Sequence, residues 1–268
     1  MSRPTVLVRG IGDVGSAVAV VLYRAGYGVA IHDIAAPAAP RRGMALADAV
    51  FDGECELEGV TARRVDDVAS LPVAAADGDA IAVSVAAIED VLGALEPAAL
   101  VDARMRKRAV PEPQLRLAPL TIGLGPNVVA GETTHLAIET QWGDQLGAVL
   151  TAGATRALGG EPRSFEGHSR DRFVYAPAAG VFHTRAAIAQ RVEAGEVVAT
   201  IGVQRLPAPL DGILRGLVHD GVVVQQGAKV VEVDPRGDLS KVFGLGPRPR
   251  AIAEGVLRAI EDAGVSRE

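Results

Sequence analysis

Hydrophobic and polar positions follow two different rhythms along the chain. Thr5-Val-Leu-Val8 is a short β-branched run of the kind that makes a buried strand, and the apolar stretch from Ala17 to Ala25 suits a buried helix. Gly10-Ile-Gly-Asp-Val-Gly15 lies between them. Gly26 or Gly28 stops the helix, and Val29-Ala-Ile31 predicts a second strand. Strand, glycine turn, helix and strand in that order make a βαβ unit, and hence a parallel pair. Further strands are expected at 80–85, 100–103, 120–124 and 135–140. A helix is expected over Ala87–Leu95, where Ile88, Val91, Leu92 and Leu95 share one face. Residues 1–160 therefore predict a Rossmann-like, doubly wound parallel α/β domain that binds a nucleotide.

The rhythm changes after Gly159-Gly-Glu-Pro162. Ala176-Pro-Ala-Ala-Gly180-Val-Phe returns 32 residues later as Ala208-Pro-Leu-Asp-Gly212-Ile-Leu, and Val192-Glu-Ala-Gly195 returns at the same offset as Val224-Gln-Gln-Gly227. Short strands with glycine and proline turns, duplicated, predict two intertwined hairpin modules. The tail over 250–263 has Ile252, Val256, Leu257 and Ile260 at helical spacing. Residues 161–268 are thus expected to form a small all-β domain with a closing helix.

Composition narrows the function classes. Of the 268 residues 49% are hydrophobic and 22% charged, which excludes a disordered chain. Net charge −6 and a pI near 5.5 argue against nucleic acid as a partner. Cys55 is the only cysteine, so no intramolecular disulfide forms, and its acidic neighbours Asp52, Glu54 and Glu56 would raise its thiol pKa. The five histidines show no metal-ligand spacing, so no metal is expected. The most apolar segment, 16–31, contains Arg24 and two glycines and is too short for a membrane span. The N-terminus enters a strand at once, without a signal peptide, and a cytoplasmic location is expected.

Gly10, Gly12 and Gly15 sit where a dinucleotide fingerprint belongs, with pyrophosphate expected on the helix N-terminus. Asp33 ends the second strand, where an acid takes the ribose hydroxyls. Asp13, inside the loop, is awkward for that reading because a carboxylate repels phosphate. Arg41 and Arg42 could hold a phosphate bidentately, or be a solvated loop. Asp102 and Arg104 follow a strand end, where ligands of open sheets gather; their bland reading is a surface ion pair. Arg106, Lys107 and Arg108 extend this into a basic cluster. Gly123 and Gly125 form a second glycine-rich strand end, an anion cradle or a tight loop. No nucleophile elbow, P-loop or other catalytic constellation is found.

The duplicated segment resembles the barrel-sandwich hybrid of biotinyl and lipoyl carrier domains. Their modified lysine would fall on the hairpin Ile201–Pro207, which has none, so neither biotin nor lipoate is carried. That leaves a scaffold, a homo-oligomerisation surface or a docking module.

Val8-Arg-Gly-Ile-Gly-Asp13, Leu22-Tyr-Arg-Ala-Gly26, Arg41-Arg42, Ala49-Val-Phe-Asp-Gly-Glu54, Val101-Asp-Ala-Arg104, Ile122-Gly-Leu-Gly-Pro126, Ala137-Ile-Glu-Thr140 and Val233-Asp-Pro-Arg-Gly237 span nearly the whole chain. In these stretches the chain resembles the YqeB family, described as selenium-dependent molybdenum hydroxylase system proteins. Its first half is similar to the Rossmann part of XdhC-type accessory proteins. The resemblance implies an accessory role in maturing molybdenum hydroxylases of the xanthine dehydrogenase type, with such an enzyme as client. It carries over no catalytic residue. The ligand would be nucleotide-type, either NAD(P) or the cytosine dinucleotide of molybdopterin. An NAD(P)-dependent oxidoreductase is the competing reading, though no Lys, His or Tyr stands where a hydride-transfer acid belongs. A ligand-free structural adaptor is the third.

Overall fold

The structure is a computed structural model that describes residues 3–106, 111–159 and 162–265. The first unit opens with β1 (Thr5–Arg9), α1 (Asp13–Arg24) and β2 (Gly28–His32), and continues through α2 (Ala49–Asp52), β3 (Glu54–Leu57) and β4 (Val60–Arg64). It goes on with α3 (Leu71–Asp77), β5 (Ile81–Ser84), α4 (Ile88–Leu95), β6 (Ala99–Asp102) and β7 (Leu120–Leu124). The short strands β8 (Val129–Ala130), β9 (Leu136–Ile138), β10 (Val149–Leu150) and β11 (Gly153–Ala154) complete it.

One nine-stranded sheet runs β10-β9-β7-β6-β1-β2-β5-β4-β3. The inner pairs from β9 to β4 are parallel, whereas β9–β10 and β3–β4 are antiparallel. This mixed sheet corrects the expected Rossmann-like doubly wound parallel sheet. The β3–β4 hairpin turns at Glu58 and Gly59, both at positive φ (50° and 79°), a geometry that returns the chain beside itself. Among the described residues the β6–β7 and β7–β9 crossovers carry no helix, so that side of the sheet is not wound.

The two faces of the sheet are covered differently. Val6, Val8, Val29, Ile31, Val83, Val101 and Ile122 pack on α1. Leu7, Ala30, Ala82 and Leu100 pack under α3 and α4 through Leu71, Ala75, Val91 and Leu95. Period-two alternation along each strand produces this division.

The second unit contains β12 (Phe173–Tyr175), β13 (Gly180–His183), β14 (Arg191–Val192), β15 (Val197–Ile201), β16 (Gln204–Pro207), β17 (Gly212–Leu217), β18 (Val223–Val224) and β19 (Lys229–Asp234). It forms two antiparallel four-stranded sheets, β12-β19-β17-β14 and β16-β15-β13-β18. The 32-residue repeat reappears in the pairing. Phe182 pairs with Ile201 as Leu214 does with Val233, and Gly180 pairs with Val224 as Gly212 does with Val192. Two sheets bound to the first unit replace the separate small barrel expected.

The final helix, α5 (Pro247–Asp262), returns to the first unit. Ile252, Val256 and Ile260 join the core on the α1 face, and Tyr27 Oη, just past α1, donates to the Val265 carbonyl just past α5 at 3.1 Å. The two helices pack along each other, end together and start together at Asp13 and Arg248, so they lie parallel. The expected closing helix exists, but its apolar stripe closes the large sheet rather than the β unit.

Candidate functional site

The glycine loop between β1 and α1 is built by close backbone approach. Gly10 has φ +109° and donates its N–H to the His32 carbonyl at 2.8 Å. A Cβ on Gly15 would stand 1.8 Å from the Gly10 carbonyl oxygen, so the helix starts where it does only with glycine there. Gly12 differs, because its missing Cβ faces open space. Asp33, at the end of β2, braces the loop: one carboxylate oxygen accepts the Ile11 N–H and the other the Ile34 N–H, each at 2.7 Å.

The last register row of the parallel strands on the α3/α4 face is polar. Ser84, His32, Arg9, Asp102 and Gly123 stand side by side across β5, β2, β1, β6 and β7, beyond the apolar row of Ala82, Ala30, Leu7 and Leu100. Arg9 is 8% exposed and donates from Nη1 to Gln114 Oε1 at 2.9 Å, while its Nε has no partner. Asp102 accepts from Arg104 Nε at 2.8 Å, Arg104 Nη2 at 2.6 Å and Gln114 Nε2 at 2.6 Å. Arg104 Nη2 also reaches Glu112 at 2.7 Å, and Arg106 pairs with the other Glu112 oxygen. Three guanidiniums thus face two carboxylates. Lys107 and Arg108 of the basic cluster lie outside the described residues.

The local electrostatics follow from this surplus. Burial works to raise the Asp102 carboxyl, but the hydrogen bonds and charge of Arg104 hold it below the usual range. Burial opposes the same shift at Glu112, where bonds from Arg104 and Arg106 bring the carboxyl down to about 2. Burial and the neighbouring Arg104 lower the Arg9 guanidinium. Burial also lowers His32, whose Nε2 lies 3.0 Å from the Ala86 carbonyl; a neutral ring donates there and leaves Nδ1 as an acceptor.

A second charged cluster lies at the seam with the β unit. Arg41 donates from Nη1 to Asp13 at 2.8 Å, and from Nε and Nη2 to Glu232 at 2.8 and 3.2 Å. Glu232 is fully buried and also receives Arg172 and, at 3.5 Å, Arg215. Arg42 forms a bidentate pair with Asp48 at 2.5 and 3.0 Å. Nearby, Leu217 N–H donates to the Pro40 carbonyl at 2.7 Å, and Phe51 stacks on His219 with centroids 4.0 Å apart.

The structure thus brings Gly10, Gly12, Asp13, Gly15, Asp33, Asp102 and Arg104 to one edge, as their positions at strand ends imply. Arg41 reaches this edge already held by Asp13 and Glu232, whereas Arg42 is turned to Asp48 and lies with Cys55, Glu56 and Ala186–Ile188. The second glycine turn is filled by side chains. A Cβ on Gly123 would meet Val128 Cγ1 at 2.4 Å, and the Gly125 carbonyl accepts from Thr155 Oγ1 at 2.7 Å. Arg9, His32, Glu112, Gln114, Arg172, Arg215 and Glu232 belong to these clusters without having been singled out. Among the described residues no group of three or more His, Cys, Asp or Glu could hold a metal ion. Nor is any helix there long and apolar enough to cross a membrane.

No protein-family model matches the chain. Similar solved structures include a succinylglutamate desuccinylase/aspartoacylase from Rhodobacter sphaeroides, 17% identical, covering 88% of this chain and 87% of that one, with a TM-score of 0.27. The ectoine utilization protein EutE (DoeB) from Ruegeria pomeroyi is 13% identical with coverages of 87% and 86% and a TM-score of 0.25. An aspartoacylase family protein from Mesorhizobium loti is 15% identical with coverages of 86% and 85% and a TM-score of 0.26. None of these three proteins is described as a Rossmann-fold protein or as a molybdenum-hydroxylase maturation protein. The fold expectation is corrected by the mixed sheet itself, and at such TM-scores the likeness carries no further. The chain is related in sequence to the uncharacterized protein YqeB of Escherichia coli (strain K12), with 38% identity over 255 residues covering 95% of this chain and 47% of that protein, so it spans about half the length of this relative.

Proposed function

We propose that the chain is an accessory protein that binds a nucleotide-type anion at the carboxyl edge of its large sheet. The observation that carries this reading is the surplus of guanidinium over carboxylate in the Arg9–Asp102–Arg104 row, beside a glycine loop open at Gly12. Arginine forks suit phosphate, and strand ends of a parallel sheet are where such ligands lie. The client belongs to the finer part of the proposal: the family resemblance points to molybdenum hydroxylases. That part is tested by adding the protein to a purified, cofactor-free hydroxylase and following recovery of its activity.

Titration calorimetry against NAD, NADP, CTP and the cytosine dinucleotide of molybdopterin tests the binding. One of them should bind below millimolar concentration, and Arg104→Ala should weaken it by about 1–3 kcal/mol, the scale of a charged hydrogen bond. Tight binding of NAD(P) accompanied by hydride transfer would favour the oxidoreductase. Absence of binding by all four would leave the structural adaptor.

A further inference from the structure

We propose that the Asp13 carboxylate is an internal stand-in for the ligand's phosphate, occupying the anion position of the site until the ligand replaces it on Arg41. This rests on the reading of the sheet edge as an anion site, and it adds how that site is kept closed.

One carboxylate makes both kinds of bond that hold a phosphate at such a place. Asp13 Oδ1 accepts the Val14 N–H in the first turn of α1 at 3.1 Å, and Oδ2 accepts from Arg41 Nη1 at 2.8 Å. Gly12, immediately before it, leaves open space on its Cβ side. The Asp13 side chain itself is 23% exposed, so it can turn outward without unpacking a core.

Guanidinium is concentrated behind Arg41, where Arg172 and Arg215 share its buried partner Glu232. Arg215 is 8% exposed, its Nε has no partner, and its nearest carboxylate oxygens lie at 3.5 and 3.8 Å. Burial, then the charge of Arg41, bring Arg215 down to about 10. Arg248, at the start of α5, donates from Nε to the Thr140 carbonyl at 2.7 Å and lies within electrostatic reach of Asp13 and Arg41. Since α1 and α5 lie parallel, both helix N-termini bring partial positive charge to this end. A phosphate carries more negative charge than the carboxylate it would displace.

The exchange involves a single nitrogen. Arg41 holds Glu232 through Nε and Nη2 and Asp13 through Nη1. An incoming phosphate oxygen takes the Nη1 proton donor while the two bonds to Glu232 persist, so the seam with the β unit stays closed.

Calorimetry with pyrophosphate, on the full chain, tests the exchange. Asp13→Asn should bind pyrophosphate about tenfold tighter than the native protein, since about 1.4 kcal/mol corresponds to tenfold. Asp13→Ser is the second variant, in case Asn alone disturbs α1. Adding Arg41→Met to Asp13→Asn should abolish the gain. Equal or weaker binding by both Asp13 variants overturns the proposal, as does a gain that survives Arg41→Met. If a nucleotide binds the native protein with Arg104 dependence while neither Asp13 variant gains, only this inference falls. If pyrophosphate binding tightens while no nucleotide binds either protein, the anion position stands and the nucleotide reading falls.

Discussion

Removing the buried charge of Glu232 tests whether the seam is held by ion pairing. Glu232 is fully buried and accepts from Arg41 at 2.8 and 3.2 Å, from Arg172, and from Arg215 at 3.5 Å. Arg172 is itself 2% exposed, so Glu232→Gln leaves buried guanidinium without its main counter-charge. Breaking such a pair from one side costs about 3–5 kcal/mol. At about 2–4 °C per kcal/mol for a chain of this size, the melting temperature should fall by about 6–20 °C. Urea unfolding should show the loss as a lower midpoint at an unchanged slope. Glu112→Gln is the control: its side chain is 44% exposed, and a change of about 1 kcal/mol or less is expected. The pH dependence has a definite sign. Burial works to raise the Glu232 carboxyl, but Arg41 dominates with Lys229 and Arg215 and holds it far below the usual range. Its contribution is therefore complete above about pH 4.3, the unfolded value, and is lost as pH falls toward the folded one. The gap between native protein and Glu232→Gln should narrow accordingly. A loss near that of Glu112→Gln at neutral pH would refute the ion-pair account of the seam.

Gly15→Ala should unfold or severely destabilise the protein, since its Cβ would lie 1.8 Å from the Gly10 carbonyl oxygen, whereas Gly12→Ala should leave the melting temperature nearly unchanged. Gly195→Ala and Gly227→Ala should each lose about 1–2 kcal/mol in urea unfolding, because both residues sit at positive φ (88° and 78°) in equivalent turns; a large loss at one and none at the other would break the equivalence of the repeats. Burial, with Asp48 and Asp52 adding to it, pushes the Cys55 thiol up to about 11, so alkylation at pH 8 should be slow in the folded protein and accelerate on unfolding.

Local pattern predicted elements well where length and periodicity were sufficient. The strand expected at 120–124 is β7 to the residue, and the helix expected over Ala87–Leu95 is α4 less its first residue. The β3–β4 hairpin is not expected from the sequence, because its strands are only four and five residues long, Arg64 breaks the alternation of Val60 and Ala62, and Glu58-Gly59 is a weak turn signal beside Asn-Gly. Two-residue strands such as β10 are too short to carry any period. Helical spacing in the tail revealed α5, but a helical stripe says only that one face is buried. That it packs beside α1 depends on contacts such as Tyr27 with Val265, which lie 238 residues apart.

The site was legible as a place and not as a set of partners. A glycine turn after a first strand locates the sheet edge because backbone sterics allow few alternatives. Charge partners are different, since any arginine can satisfy any carboxylate that the fold brings near: Arg41 and Glu232 are 191 residues apart. Asp33 shows the same ambiguity at short range, because an acid at the end of β2 can reach a ribose or, as here, brace the loop amides of Ile11 and Ile34. A usable signal was nevertheless present for the polar row. Arg9, His32, Ser84 and Asp102 are each the last residue of a strand otherwise apolar after its first position. Parallel neighbours in register place such terminal residues side by side, and period two puts all four on the face of Leu7 and Leu100. Four polar strand ends in a row, two of them arginine and aspartate, therefore imply a paired and partly desolvated cluster before any contact is measured. What they could not reveal is the third guanidinium, since Arg106 reaches the cluster from a loop through Glu112. The surplus charge that makes the edge attractive to an anion is thus contributed by the loops and only positioned by the strands.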